Sequence, residues 1–271
     1  MPDGWEWDAT LFAGAAAHYE RGRLPYAPGF AETVAAALGL DGRGRLLDVG
    51  CGPGTVLLAL AGWFTEAVGL DPDAEMLAEA ERQAVRRGVG NARWVEARAE
   101  ELPAGLGEFR VATFGNSFHW MEQDRVAAAV LGMLAPGGAF VHLAEVHGRP
   151  ADTSPSAPPH AEIAALVRRY LGPVRRAGRG TLPNGTPDGE EAVLAAAGFA
   201  PMERHVAPGG DKIVRSTDDV VSYVFSLSGS APHLFGDRLA EFEHDLRELL
   251  AGRRFTERVP PSEIRIWRKP G

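Results

Sequence analysis

Sulfur and lysine are scarce in this chain. One cysteine, Cys51, stands in 271 residues, so no disulfide can form within it. The disulfide frameworks that staple small secreted domains are therefore excluded, and a reducing compartment is the expectation. Lysine occurs only at Lys212 and Lys269, whereas Arg, Ala and Gly abound, a bias that fits a GC-rich bacterial genome. The net charge of −8 argues against a broad phosphate-binding surface. No unbroken apolar stretch approaches the length of a membrane span. Met1–Trp5 is acidic and lacks the basic-then-apolar pattern of a secretory signal, so a cytoplasmic location is expected. The eight histidines fall into no His-Glu-x-x-His array, and His142 and His147 are too far apart for one helical face, so no metal site is expected. A Gly-x-Ser-x-Gly elbow is missing too, which disfavours nucleophilic hydrolysis.

What is present is organised around Leu46–Thr55. An apolar strand ends at Asp48-Val49-Gly50-Cys51-Gly52-Pro53-Gly54, and the run Thr55–Ala61 reads as a buried helix. Strand, glycine turn and helix are the first step of a nucleotide-binding α/β sheet. The spacing is G-x-G-x-G, not the G-x-G-x-x-G of a dinucleotide site, and no Gly-Lys-Ser/Thr follows. Asp48 beside the turn would repel phosphate and suits a ligand bearing positive charge. Cys51 reads as part of the turn, without a histidine near it in sequence.

Four later stretches fall in matching order. Ala67–Asp71 is a second strand ending in an acid, about 20 residues on, where a ribose-binding carboxylate is expected. Trp94–Pro103, Phe109–Trp120 and Leu134–Phe140 follow. Together with the first run these resemble the class I S-adenosylmethionine (SAM) dependent methyltransferases, in particular the group related to trans-aconitate methyltransferase. The resemblance covers roughly residues 10–145. It implies a Rossmann-like sheet of seven mostly parallel strands, helices on both faces and an antiparallel last strand. It also implies SAM as cofactor, a ligand with a sulfonium, an ammonium and no phosphate. The cofactor-binding residues it implies are Asp48, Gly50, Cys51, Gly52, Gly54, Asp71, Pro72, Met76, Ala99, Glu100, Asn116 and Ser117. The segment His18–Tyr26 looks like the family's N-terminal lid, with Tyr19 and Arg23 closing on the methionine end. Two residues depart from the family pattern. Arg98 stands where an acid often meets the adenine, and Arg110 replaces a common Asp, read as a local surface change.

The rest of the chain reads as one domain with an elaborated cap: an N-terminal lid over 5–40, a core over 41–145, and cap elements at about 148–185 and 214–254. Helices are expected around Leu11–Glu20, over Phe30–Leu38, from Ala74 to Arg87 behind an Asp73 cap, and from an Asp124 cap to Leu134. Met76, Leu77, Ala80, Ala84 and Val85 form the inner stripe of the third. Gly148–Pro159 reads as a long loop, and Arg175–Arg179 as a solvated basic loop without the interleaved aromatics of a nucleic-acid surface. The last strand alternates over Glu263–Arg268. The long insert Val214–Arg254 is read as the acceptor-side cap, because such inserts are usually functional.

His119 falls just past the fourth strand, where ligands bind in open α/β sheets. It is the candidate catalytic residue, orienting the acceptor or acting as its base. Phe118, Trp120, Tyr26, Tyr223 and His233 are the candidate substrate-binding residues. The expected activity is methyl transfer to a small-molecule acceptor such as a bacterial secondary metabolite, by a monomer or homodimer without nucleic-acid or membrane partners. The alternatives are tRNA or protein methylation, or a SAM-bound protein with a non-methylating role.

Overall fold

Alternating apolar and turn-forming stretches build the chain around β1 (Arg45–Val49), whose last four residues are buried. The computed structural model describes residues 8–145, 156–178, 180–181 and 189–271. Two helices precede the sheet, α1 (Ala16–Gly22) and α2 (Phe30–Leu38). Then follow α3 (Thr55–Leu60), β2 (Glu66–Asp71), α4 (Ala74–Arg87), β3 (Ala92–Glu96), β4 (Phe109–Gly115), α5 (Gln123–Met133) and β5 (Leu134–Glu145). The second half holds α6 (His160–Leu171), the short pair β6 (Arg176–Ala177) and β7 (Gly180–Thr181), α7 (Glu190–Ala197) and β8 (Glu203–Ala207). It ends with β9 (Lys212–Arg215), α8 (Thr217–Phe225), α9 (Leu239–Leu250), β10 (Phe255–Arg258) and β11 (Ser262–Arg268).

Seven strands form one sheet in the order β3-β2-β1-β4-β5-β11-β8. The first five pair in parallel. β11 runs antiparallel to both β5 and β8, as expected for the last strand. The order reverses between β1 and β4, so the crevice at their carboxyl ends is the topological switch point where α/β sheets bind ligands. One apolar layer, with Phe114, Phe118, Phe140 and Trp267, fills one face, and Leu57, Leu60 and Ile264 belong to the layer on the other. A separate core, with Val220, Phe225, Phe235, Phe242 and Leu246, joins α6, α8 and α9 into a helical unit of its own.

Local chemistry sets the element ends. The Asp73 carboxylate accepts the Glu75 and Met76 backbone N–H groups, and Gly88 closes α4 in the left-handed region, as expected. Val85 is 73% exposed and leaves the inner stripe, which Gln83 joins instead. α5 starts at Gln123 behind Glu122, so Asp124 sits in the first turn and is not its cap. The first helix is shorter than expected, because turns occupy Thr10–Ala15. Arg110 pairs with Asp41 and donates to the Gly39 carbonyl, the surface role expected of it. His142 is buried on β5 with Nδ1 2.6 Å from Glu190 Oε2, while His147 and most of the 148–159 loop lie outside the described residues.

Candidate active site

The turn after β1 uses its three alternate glycines for different ends. Gly50, Gly52 and Gly54 all have positive φ, at 65°, 51° and 80°, a region that costs other residues strain. A Cβ on Gly50 would lie 2.7 Å from Ser117 Cβ, and one on Gly54 2.9 Å from the Trp94 ring. These two admit close packing of β4 and β3 neighbours. A Cβ on Gly52 would meet nothing within 4 Å, because it points into open cleft. Room for a ligand is therefore built at Gly52, and Gly54, expected at the cofactor, instead caps α3 against Trp94.

Two buried acids hold this turn. Asp48 is 1% exposed. Its carboxylate accepts the Thr113 hydroxyl at 2.7 Å and the Leu57 N–H at 3.2 Å. Burial pushes its pKa up to about 7. Asp71 ends β2 and is 9% exposed. It accepts N–H groups from Gly52 at 2.8 Å and from Asp73 at 3.0 Å. Burial pushes it up to about 6, against those two hydrogen bonds that lower it. The Cys51 thiol is held well above its ordinary pKa by burial and by both carboxylates, which disfavours a nucleophilic role.

Around the turn lies a pocket of about 720 Å³, lined by Gly50, Gly52, Asp71, Pro72, Met76, Ala99, Glu100, Asn116 and Ser117 among others. All nine belong to the cofactor set read from sequence. Ser117 Oγ donates to the Val49 carbonyl at 2.6 Å and Glu100 accepts the Glu122 N–H at 3.0 Å, so both walls are fixed. Tyr19 closes the pocket from α1. Arg98 lines it with its guanidinium 3.2 Å from Glu100, which places an ion pair where the family often has a lone acid. Leu11, Phe12 and Met121 also line it, and no motif in the sequence marks them.

A second, wider cleft of about 3000 Å³, open to solvent, continues from the first past Tyr19, Asn116 and Trp120. His119, Tyr26, Tyr223, Arg23, Asp48 and Cys51 line it. Asn116 Nδ2 donates to the Tyr26 hydroxyl at 3.2 Å, and burial raises the Tyr26 pKa far beyond its ordinary range. Arg23 donates to the Ser226 carbonyl at 2.9 Å and stands over the Tyr19 ring. Phe118 and His233 do not reach the cleft. The Phe118 ring is 0% exposed and packs between Phe114 and Phe140, because the short turn Phe118–Trp120 aims it inward while His119 and Trp120 face out. His233 Nδ1 lies 3.1 Å from the Ala13 carbonyl, joining the segment before α9 to the N-terminal turns. The sequence reading missed His160 and Glu257 in the cleft wall, which come from α6 and β10 and carry no local signature. Among the described residues no group of three or more His, Cys, Asp or Glu could hold a metal ion.

The glycine turn, the acids that deny it to phosphate, and the open space at Gly52 fit a cationic nucleoside ligand. The sheet and this site resemble those of the class I SAM-dependent methyltransferases, in which SAM is the methyl donor. Residues 46–138 match the family described as a methyltransferase domain. Malonyl-[acyl-carrier protein] O-methyltransferase of Enterobacter lignolyticus is 32% identical over 139 residues, 50% of this chain and 53% of that protein. The uncharacterised methyltransferase YcgJ of Bacillus subtilis is 33% identical over 98 residues, 36% of this chain and 39% of it. These curated relatives are thus matched over about half their length or less. The crystal structure of YcgJ superposes with a TM-score of 0.53 at 17% identity, covering 89% of this chain and 98% of it. A protein from Methanobacterium thermoautotrophicum described as a precorrin 8w decarboxylase reaches 0.50 at 16% identity, covering 93% and 97%. At such identities the likeness is one of fold.

Proposed function

We propose that this chain transfers the methyl group of SAM to a small-molecule acceptor held in the wider cleft. The observation that carries the proposal is the continuity of the two spaces. The pocket at the glycine turn continues, past Tyr19, Asn116 and Trp120, into a cleft lined by α6 and α8. A concave cleft that continues from the cofactor pocket suits a compact acceptor better than a macromolecular surface.

In this reading Asp71 accepts the ribose hydroxyls with the lone pairs its two backbone partners leave free. Ala99 and Glu100 flank the base, and Met76 packs beneath it. Tyr19 and Arg23 close over the methionine end. When bound, SAM supplies a carbon already activated by its sulfonium, so the protein's work is alignment in a dry site. Trp120, Tyr26 and Tyr223 position the acceptor, and His119 orients it. His119 also stands where a proton could be taken from an O–H or N–H acceptor.

The test is titration calorimetry with SAM and S-adenosylhomocysteine, followed by transfer from methyl-labelled SAM to a metabolite extract. One cofactor site per chain and a labelled small molecule are expected. Failure to bind either ligand would end the assignment, while labelled tRNA or protein with no labelled metabolite would move the acceptor to another class.

A further inference from the structure

The described charges of the wider cleft are segregated against the chain as a whole. The protein carries a net −8, yet Arg23, Arg168, Arg175 and Arg176 all line this cleft. Its described acids are Asp48 and Glu257. Asp48 is committed to Thr113 and Leu57. Glu257 is committed to Arg215, at 3.0 Å, and to His160, at 3.4 Å. Neither is left to neutralise Arg168 or Arg175.

Two neighbours on α6 make the contrast plain. Arg169 pairs with Asp245 on α9, outside the cleft, and Tyr170 donates to the same carboxylate. Arg168, one residue earlier, lines the cleft, is exposed, and has no hydrogen-bond or ion-pair partner for its side chain among the described residues. Arg175, in the segment after α6, likewise lines the cleft; it is exposed and has no side-chain partner among the described residues. Arg23 adds a buried Nε without a hydrogen-bond partner. Most other arginines of the described chain are engaged by carboxylates. Neither Arg168 nor Arg175 lines the pocket at the glycine turn, so their charge lies on the acceptor side. Ile163, Val167, Leu171 and Leu227 line the same cleft with apolar surface.

We infer that the acceptor is an amphipathic anion whose carboxylate or phosphate is anchored by Arg168 and Arg175, away from the methyl donor, while its apolar body lies along α6. Guanidinium groups suit this task, because their fixed fork of donors matches both anions. The inference rests on the proposed methyl transfer and names the acceptor class of that same cleft. It gives Arg175, exposed as the solvated-loop reading expects, a role at the edge of the acceptor cleft.

The experiment uses the full chain saturated with S-adenosylhomocysteine, and octanoate, octyl phosphate, octanol and octylamine as probes in calorimetry. Octanoate or octyl phosphate should bind, the better of the two naming the anion, and the neutral and cationic probes should bind at least tenfold more weakly. Arg168→Gln and Arg175→Gln should each weaken the anionic probe about tenfold, the scale of one lost charged hydrogen bond, with affinity for S-adenosylhomocysteine unchanged. Octanol binding as tightly as the anions, or the double variant binding them as wild type does, would overturn the inference. So would competition by an RNA oligonucleotide that binds more tightly than any octyl probe. Failure of the methyltransferase reading registers separately, as absent binding of S-adenosylhomocysteine before any probe is added.

Discussion

Removing the Asp71 carboxylate should cripple cofactor binding in a way that can be calculated in advance. In the structure its oxygens already accept the N–H groups of Gly52 and Asp73. Two ribose hydroxyls would add two charge-assisted hydrogen bonds, each contributing roughly 1.5–3 kcal/mol. Asp71→Ala should therefore weaken S-adenosylhomocysteine binding by ~3–6 kcal/mol, or about 10²–10⁴-fold. The two orphaned N–H groups should lower stability as well, by roughly 1–3 kcal/mol each if water does not replace the carboxylate. A pH arm needs no mutation. With the Asp71 pKa raised to about 6, the carboxylate is nearly fully ionised at pH 8 and only about one-tenth ionised at pH 5. Wild-type affinity should fall about tenfold between those values. Calorimetry at both pH values, on folded protein checked by circular dichroism, measures both effects. An Asp71→Ala affinity within threefold of wild type at pH 8 would refute the ribose assignment. A flat wild-type profile would refute the raised acid.

Stability should respond to the other buried acid in the opposite limb from ordinary carboxylates. The Asp48 pKa is raised from 3.8 to about 7, so the folded chain keeps a proton that the unfolded chain has released between those values. That contribution is complete below the unfolded pKa and is lost as pH rises through 7, so the melting temperature of the ligand-free protein should fall from pH 5.5 to 8, and Asp48→Asn should flatten the slope in thermal melts. Breaking the buried Arg215–Glu257 pair with Arg215→Met should destabilise by ~3–5 kcal/mol, since it also strips the Gly22 and Asp219 carbonyls of their donor. At about 2–4 °C per kcal/mol that loss is readable by calorimetric scanning. His119→Ala should lower turnover with SAM affinity intact, and His119→Gln should restore much of it if the ring orients the acceptor. Equal loss in both, with normal folding, would make His119 the base, whose removal costs about 10²–10⁴-fold.

The sheet and the pocket at the glycine turn were legible because they are local. Asp48 to Gly54, Ala67 to Asp71 and Asn116 with Ser117 each occupy a few consecutive residues, where strand periodicity and turn chemistry leave a readable trace. The same trace misled at Phe118. Its neighbours face the cleft, but a tight turn distributes three consecutive side chains around its axis, and the middle of an aromatic cluster claimed this one. Gly54 looked like a third ligand glycine, although its freedom answers the Trp94 ring. The wall of the wider cleft left no trace at all. His160 and Arg168 on α6, Arg175 after it and Glu257 on β10 lie on three stretches, and only tertiary packing assembles them. Arg175 was noticed as a charge run, but which way such a run faces is decided by tertiary neighbours, not by its composition.

Gly22 sets a limit on how this protein can be altered. It ends α1 flush against α8, where a Cβ would lie 2.4 Å from the Ser222 carbonyl group. Arg21 reaches Asp218 and Asp219 from one side of this junction, and Arg215 holds the Gly22 carbonyl from the other. Tyr19, which covers the pocket at the glycine turn, and Tyr223, which faces the wider cleft, therefore ride on helices that are keyed to each other. A chimera that imports a foreign α8 to change acceptor range inherits a lock cut for a different key unless α1 travels with it. The transplantable unit is the pair of helices, although nearly 200 residues of sequence separate them.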